Sequence, residues 1–86
     1  MDPLFQAAKE GNLETVQTLI AAGARVNTPN SNGESPLFIA SQNGHHAIVK
    51  ALIEAGADIN KTDEDGWTPL QRAVFQGHFS IILQLL

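Results

Sequence analysis

Residues 35–60 read SPLFIASQNGHHAIVKALIEAGADIN, and the residues on either side repeat this stretch at a fixed step of 33. Counting 33 positions in each direction from Pro36 reaches Pro3 and Pro69. The same step joins Leu4, Leu37 and Leu70, then Ala7, Ala40 and Ala73, then Gly11, Gly44 and Gly77. It also joins Val16, Val49 and Ile82, and Leu19, Leu52 and Leu85. Where only two copies fit, Gly23 pairs with Gly56, Ala24 with Ala57, Val26 with Ile59, Asn27 with Asn60 and Gly33 with Gly66. All seven glycines and three of the four prolines fall in these columns. A fixed period that holds the backbone-special residues in register is the signature of a repeat array.

Within a unit, local chemistry predicts two helices and a loop. Asp2, Ser35 and Thr68 each precede a proline, so a side-chain acceptor at the N-cap is followed by the residue best suited to the first helical position. The first helix runs from there to about Lys9, and Gly11, Gly44 and Gly77 end the three copies. A second helix follows, from about Asn12 to Ala21 in the first unit. Its Leu13, Val16, Leu19 and Ile20 share one face, as do Ile48, Val49, Leu52 and Ile53 in the second unit. In the third unit it starts near Phe79 and runs to the last residue. The small residues Ala7, Ala40 and Ala73 allow neighbouring helix pairs to approach closely. Asn32-Gly33 and Asp65-Gly66 predict tight turns between units, and Asn27 and Asn60 should bond the loop backbone.

Composition narrows the functional classes. The net charge is -4 and only five Lys or Arg residues are scattered along 86 positions. No basic stripe exists to neutralise phosphates, so nucleic acid is not an expected partner. No apolar run is long enough to span a bilayer, and no membrane partner is expected. No leader is visible in MDPLFQAAKE, and a cytoplasmic location is the expectation. With no cysteine, disulfides, thiol chemistry and Cys-ligated zinc fall away together.

The pattern of Thr68-Pro69-Leu70, Gly44-His45 and Gly77-His78, an apolar helix, then Gly56-Ala57-Asp58-Ile59-Asn60 resembles the ankyrin repeat over essentially the whole chain. The resemblance implies an all-α repeat solenoid, of ankyrin-type antiparallel helix pairs stacked and joined by β-turn or hairpin loops. One domain over residues 1–86 is expected, with repeats at about 1–34, 35–67 and 68–86, the last truncated. It also implies a non-catalytic module that binds a protein partner through its concave side, the loop tips plus the exposed face of each first helix. The sequence departs from the family pattern where a histidine usually follows TPL. Phe5, Phe38 and Gln71 stand there, so the tie that this histidine supplies should be missing in all three units.

On that surface the candidate partner-binding residues are Trp67 and Phe75, with Lys9, Glu10, Gln42, Asn43 and Gln76 on the first helices. Asn32, Glu34, Glu64 and Asp65 supply the loop tips. Trp67 and Phe75 read either as an exposed aromatic anchor or as side chains packed along their own loop and neighbouring helix. The run Asp63-Glu64-Asp65 lacks the alternating ligands of a calcium loop and reads as a solvated acidic tip. With Glu54 and Asp58 it would favour a basic partner. His45, His46 and His78 do not predict a metal site, because column mates lie about 10 Å apart on helix-packing distances. No cofactor is expected, since every glycine is taken by a turn or a cap. Ser31, Ser35, Ser41 and Ser80 are the available hydroxyls, but no nucleophile elbow surrounds any of them. The last six residues hold five aliphatics where a terminal unit should be polar outside. The chain is therefore expected either to be a piece of a longer array, the favoured reading, or to self-associate through Ile81, Ile82, Leu85 and Leu86. Alternatively the repeats would be the targeting part of a larger enzyme or effector.

Overall fold

Three side chains start the three first helices. Asp2 Oδ1 accepts the Leu4 N–H at 2.9 Å, Ser35 Oγ the Phe38 N–H at 3.1 Å, and Thr68 Oγ1 the Gln71 N–H at 3.1 Å. Each is followed by proline, whose missing N–H would find no partner inside the helix. The computed structural model describes residues 2–86 and contains α1 (Pro3–Glu10), α2 (Leu13–Ala21), α3 (Pro36–Asn43), α4 (His46–Glu54), α5 (Pro69–Gln76) and α6 (Phe79–Leu85). Asn12 is the cap of α2, not its first residue, and accepts the Thr15 N–H at 3.1 Å. In the third unit Gln71 supplies the tie expected to be missing: its Oε1 accepts the Thr68 N–H at 2.9 Å, closing a reciprocal capping box. Phe5 and Phe38 fill the corresponding positions by burying their rings instead.

The odd-numbered helices form one layer, α1 on α3 and α3 on α5, and the even-numbered helices form the other, α2 on α4 and α4 on α6. Ala7, Ala40 and Ala73 are buried at the seams of the first layer, where a larger side chain would hold the helices apart. α3 lies between two neighbours and against α4, and its residues Pro36 to Ser41 are all buried. Val16, Ile48, Val49, Leu52, Ile81 and Leu85 complete the core from the second layer. The burial of Ile81 and Leu85 corrects the expected self-association face. These two side chains are spent inside the chain, Ile82 is half-buried, and the exposed apolar residues at that end are Val74, Phe79, Leu83 and Leu86. Ser41 is likewise not an available hydroxyl, being fully buried with no hydrogen-bond partner for Oγ.

Adjacent pairs are stitched by a recurring contact. The His45 ring Nε2 lies 3.1 Å from the Lys9 carbonyl, and the His78 Nε2 lies 3.1 Å from the Gln42 carbonyl. A carbonyl only accepts, so in both rings Nε2 carries the proton. Each imidazole thus satisfies an orphan carbonyl at the end of the preceding first helix. The rings reach that carbonyl by crossing a glycine: a Cβ on Gly11 would stand 2.8 Å from the His45 ring, and one on Gly44 2.8 Å from the His78 ring. Because the imidazoles point backward, α4 and α6 have no side-chain cap of their own.

The loops repeat a second device. Asn30 Oδ1 accepts the N–H groups of Asn32 and Glu34 at 3.0 and 2.9 Å, and Asp63 Oδ1, 33 residues on, those of Asp65 and Trp67 at 3.0 and 2.9 Å. Asp63 is therefore a structural residue of the loop, and only Glu64 and Asp65 form the exposed acidic tip. Neighbouring loops touch through the Glu64 N–H on the Asn32 carbonyl at 3.0 Å and the Asp58 N–H on Asn27 Oδ1 at 2.8 Å. Asn27 bonds loop backbone as expected. Asn60 instead gives its own N–H to Asp58 Oδ1 at 3.0 Å.

Two stability outcomes follow from this packing. Gly44→Ala places an L-residue at φ 79° against the His78 ring, whereas Gly77→Ala, at φ 75°, meets nothing within 4 Å. Urea unfolding should show a loss of about 1–2 kcal/mol for Gly77→Ala from left-handed strain alone, and a clearly larger loss for Gly44→Ala. Ser41→Ala should raise stability by about 1 kcal/mol, because it removes an unpartnered buried hydroxyl at a column that is already alanine at Ala8. A melting temperature no higher than that of the parent chain would refute that reading of Ser41.

Candidate functional site

The exposed edges of α1, α3 and α5 carry two columns of side chains, Lys9, Gln42 and Phe75, and Glu10, Asn43 and Gln76. The two ends of this surface differ in chemistry. At the α1 end several polar groups are already paired within the chain: Gln6 Nε2 donates to Glu10 Oε2 at 2.8 Å, and Asn43 Nδ2 to the Lys9 carbonyl at 3.2 Å. In the first loop Asn30 Nδ2 donates to Glu34 Oε1 at 2.9 Å, and the Asn32 carbonyl receives Glu64. The Asn43 and Glu34 side chains are thus structural, whereas Asn32 contributes only its backbone.

At the α5 end the structure brings Trp67 and Phe75 together. Their ring centroids are 5.8 Å apart with an interplanar angle of 69°, the edge-to-face arrangement that ring quadrupoles favour. Both stay open to solvent, Trp67 at 36% and Phe75 at 69% of full exposure. Trp67 is held in place by its backbone, with its N–H on the Asp63 carboxylate at 2.9 Å and its carbonyl accepting the Asp63 N–H at 3.0 Å. Phe75 is therefore mostly open to solvent, while Trp67 is about two-thirds covered within its own loop and against its neighbours.

Sequence reading missed the third member, Arg72. Its guanidinium carbon lies over the Trp67 ring at 5.0 Å and over the Phe75 ring at 5.4 Å from the centroids. Its Nε donates to Gln42 Oε1 at 3.1 Å, which draws α3 into the cluster. The signal available in the sequence was spacing, since residues three apart on a helix are surface neighbours and Arg72 precedes Phe75 by three. Trp67, Arg72, Phe75 and Gln42 form one group. Among the described residues, no hydrogen bond or ring contact joins Lys9, Glu10, Asn32 or Glu34 to it. Glu64 and Asp65 flank it on the loop that carries Trp67, and Gln76 lies exposed beyond Phe75.

A hollow of about 220 Å³ adjoins the cluster, lined by Asp65, Gly66, Trp67 and Gln71. A larger one of about 540 Å³ sits between the start of α1 and the first loop and is lined by Asp2, Phe5, Thr28, Pro29, Asn30 and Ser31. None of the candidate residues lines it. Among the described residues no three His, Asp or Glu side chains converge as metal ligands would. Among the described residues no helix is long and apolar enough to cross a membrane.

The comparisons with known proteins bear on this arrangement. No curated protein matches the chain significantly. A family model for ankyrin repeats matches residues 4–86 in three copies, and repeats of this kind are generally protein–protein interaction modules. With six helices among the described residues paired in two layers and the repeat match covering residues 4–86, the chain belongs to the ankyrin-repeat family.

Proposed function

We propose that this chain is a non-catalytic interaction module that binds a protein partner through the loop tips and the exposed edges of α1, α3 and α5. Its energetic centre is the cluster of Trp67, Arg72 and Phe75. The observation that carries the reading is the exposed Trp67–Phe75 pair held beside a half-buried arginine. Trp and Arg are enriched among the few interface residues whose truncation costs about 2 kcal/mol or more. Lys9, Glu10, Gln42, Asn43, Gln76, Asn32, Glu34, Glu64 and Asp65 would form the polar surround that sets register and excludes water.

Trp67→Ala combined with Phe75→Ala should reduce the capture of specific partners from native lysate at least about tenfold. The far-ultraviolet circular dichroism should stay unchanged, since neither side chain belongs to the core. Equal capture by the parent and the double variant would refute this placement of the binding surface.

A second reading rests on the other exposed apolar surface. Phe79, Leu83 and Leu86 are 77%, 75% and 85% exposed, and α6 carries no charged residue. In this reading the end face of α5 and α6 pairs with another copy or another repeat. Light scattering over a concentration range tests it: Leu83→Glu should convert an associating species to monomer. A parent chain that is monomeric at every concentration would rule out pairing with another copy.

A further inference from the structure

We infer that the Trp67–Arg72–Phe75 cluster recognises a carboxylate side chain in a peptide segment of the partner, next to an apolar residue that covers Phe75. This deepens the interaction reading above and rests on it. The argument starts from how Arg72 is held. A guanidinium has five N–H donors in its plane, while its faces carry the attraction to aromatic rings. In this structure Arg72 Cζ lies 5.0 and 5.4 Å from the centroids of the Trp67 and Phe75 rings, and Gln42 Oε1 takes Nε. The two terminal nitrogens, Nη1 and Nη2, donate to no acceptor among the described residues. They form the edge that pairs two-pronged with a carboxylate.

The side chain is also preorganised. Three contacts fix it, from the loop, from α5 and from α3, so little of its rotamer freedom remains to be lost on binding. Arg72 is the sole Lys or Arg among residues 62–86, so no other cation in this part of the chain competes for the anion. Charge also selects the kind of anion. A doubly charged phosphate is usually met by a cluster of arginines, and here one arginine stands beside the Glu64 and Asp65 tip. Against that tip a singly charged carboxylate meets less repulsion than a dianion, and the tip's preference for basic groups then applies to the partner residues around that acid. The exposed face of Phe75 supplies the apolar contact beside it.

The test is selection of a random 12-residue peptide library displayed on phage against the immobilised 86-residue chain, followed by affinity measurement on resynthesised peptides. The expected result is enrichment of Asp or Glu adjacent to an apolar residue. Replacing that acid by its amide should weaken binding roughly tenfold or more, as should Arg72→Gln, and Arg72→Lys should not restore it. Raising the ionic strength should weaken the acidic peptide and leave its amide counterpart nearly unchanged. Peptides that need Trp67 and Phe75 but carry no acid, or that tolerate Arg72→Gln, would overturn this inference and leave the interaction surface standing. A peptide that binds more tightly when its acid becomes phosphoserine would overturn it as well. Failure to enrich any peptide, or peptides indifferent to Trp67→Ala with Phe75→Ala, would overturn both. The thermal midpoint of Arg72→Gln and Arg72→Lys, measured alongside, separates loss of the anion contact from loss of fold.

Discussion

No helix pair in this chain can bury its apolar side alone, and the architecture follows from that constraint. Each pair has eight or nine residues per helix at most, too short to be stable in isolation. Burial comes from the neighbour 33 residues away, and the alanine columns let that neighbour come close. The histidine–glycine seam then fixes the register of one pair on the next. The ring can reach the carbonyl behind it only because Gly11 and Gly44 have no side chain to block the path. One column of glycines therefore serves two ends: it lets the first helix stop, and it leaves room for the next unit to attach.

The candidate binding cluster is assembled across the same seam. Trp67 comes from a loop, Arg72 and Phe75 from α5, and Gln42 from α3. Gln42 meets Arg72 with its side chain and His78 with its backbone carbonyl, both at 3.1 Å. The residue that braces the arginine is thus the residue to which the third pair is pinned. A substitution that loosens the seam at Gly44 or His78 would disturb the cluster without touching any of its aromatic rings.

Most of the fold was legible in the sequence because repetition gives each structural residue two or three witnesses. Caps, helix ends and buried columns recur at the same spacing, so the helices could be placed to within a residue or two. What remained hidden depended on singular contacts. Arg72 has no basic counterpart in its column, where Gln6 and Ile39 stand, and nothing in composition says that its guanidinium will lie over two rings. The role of Asp63 was obscured by its acidic neighbours, though Asn30 in the same column performs the same job. Gln71 was read as a lost tie, whereas its amide reaches back to its own cap. Ile81 and Leu85 were counted with the exposed aliphatics because a run of apolar residues does not declare which of them face inward.

The uneven burial along the stack has a consequence for how the chain breathes. α3 buries six consecutive residues, α1 four, and α5 and α6 two each. Amide protection in native-state hydrogen exchange should therefore be graded, highest at the middle and lowest in the last pair, since local opening is easiest where least is buried. The cluster sits on that last pair. A ligand gripping Trp67, Arg72 and Phe75 would close the element most prone to fray, and by linkage its binding energy would appear as slowed exchange in α5 and α6. Recognition and the completion of folding would then be one equilibrium, measured from two sides.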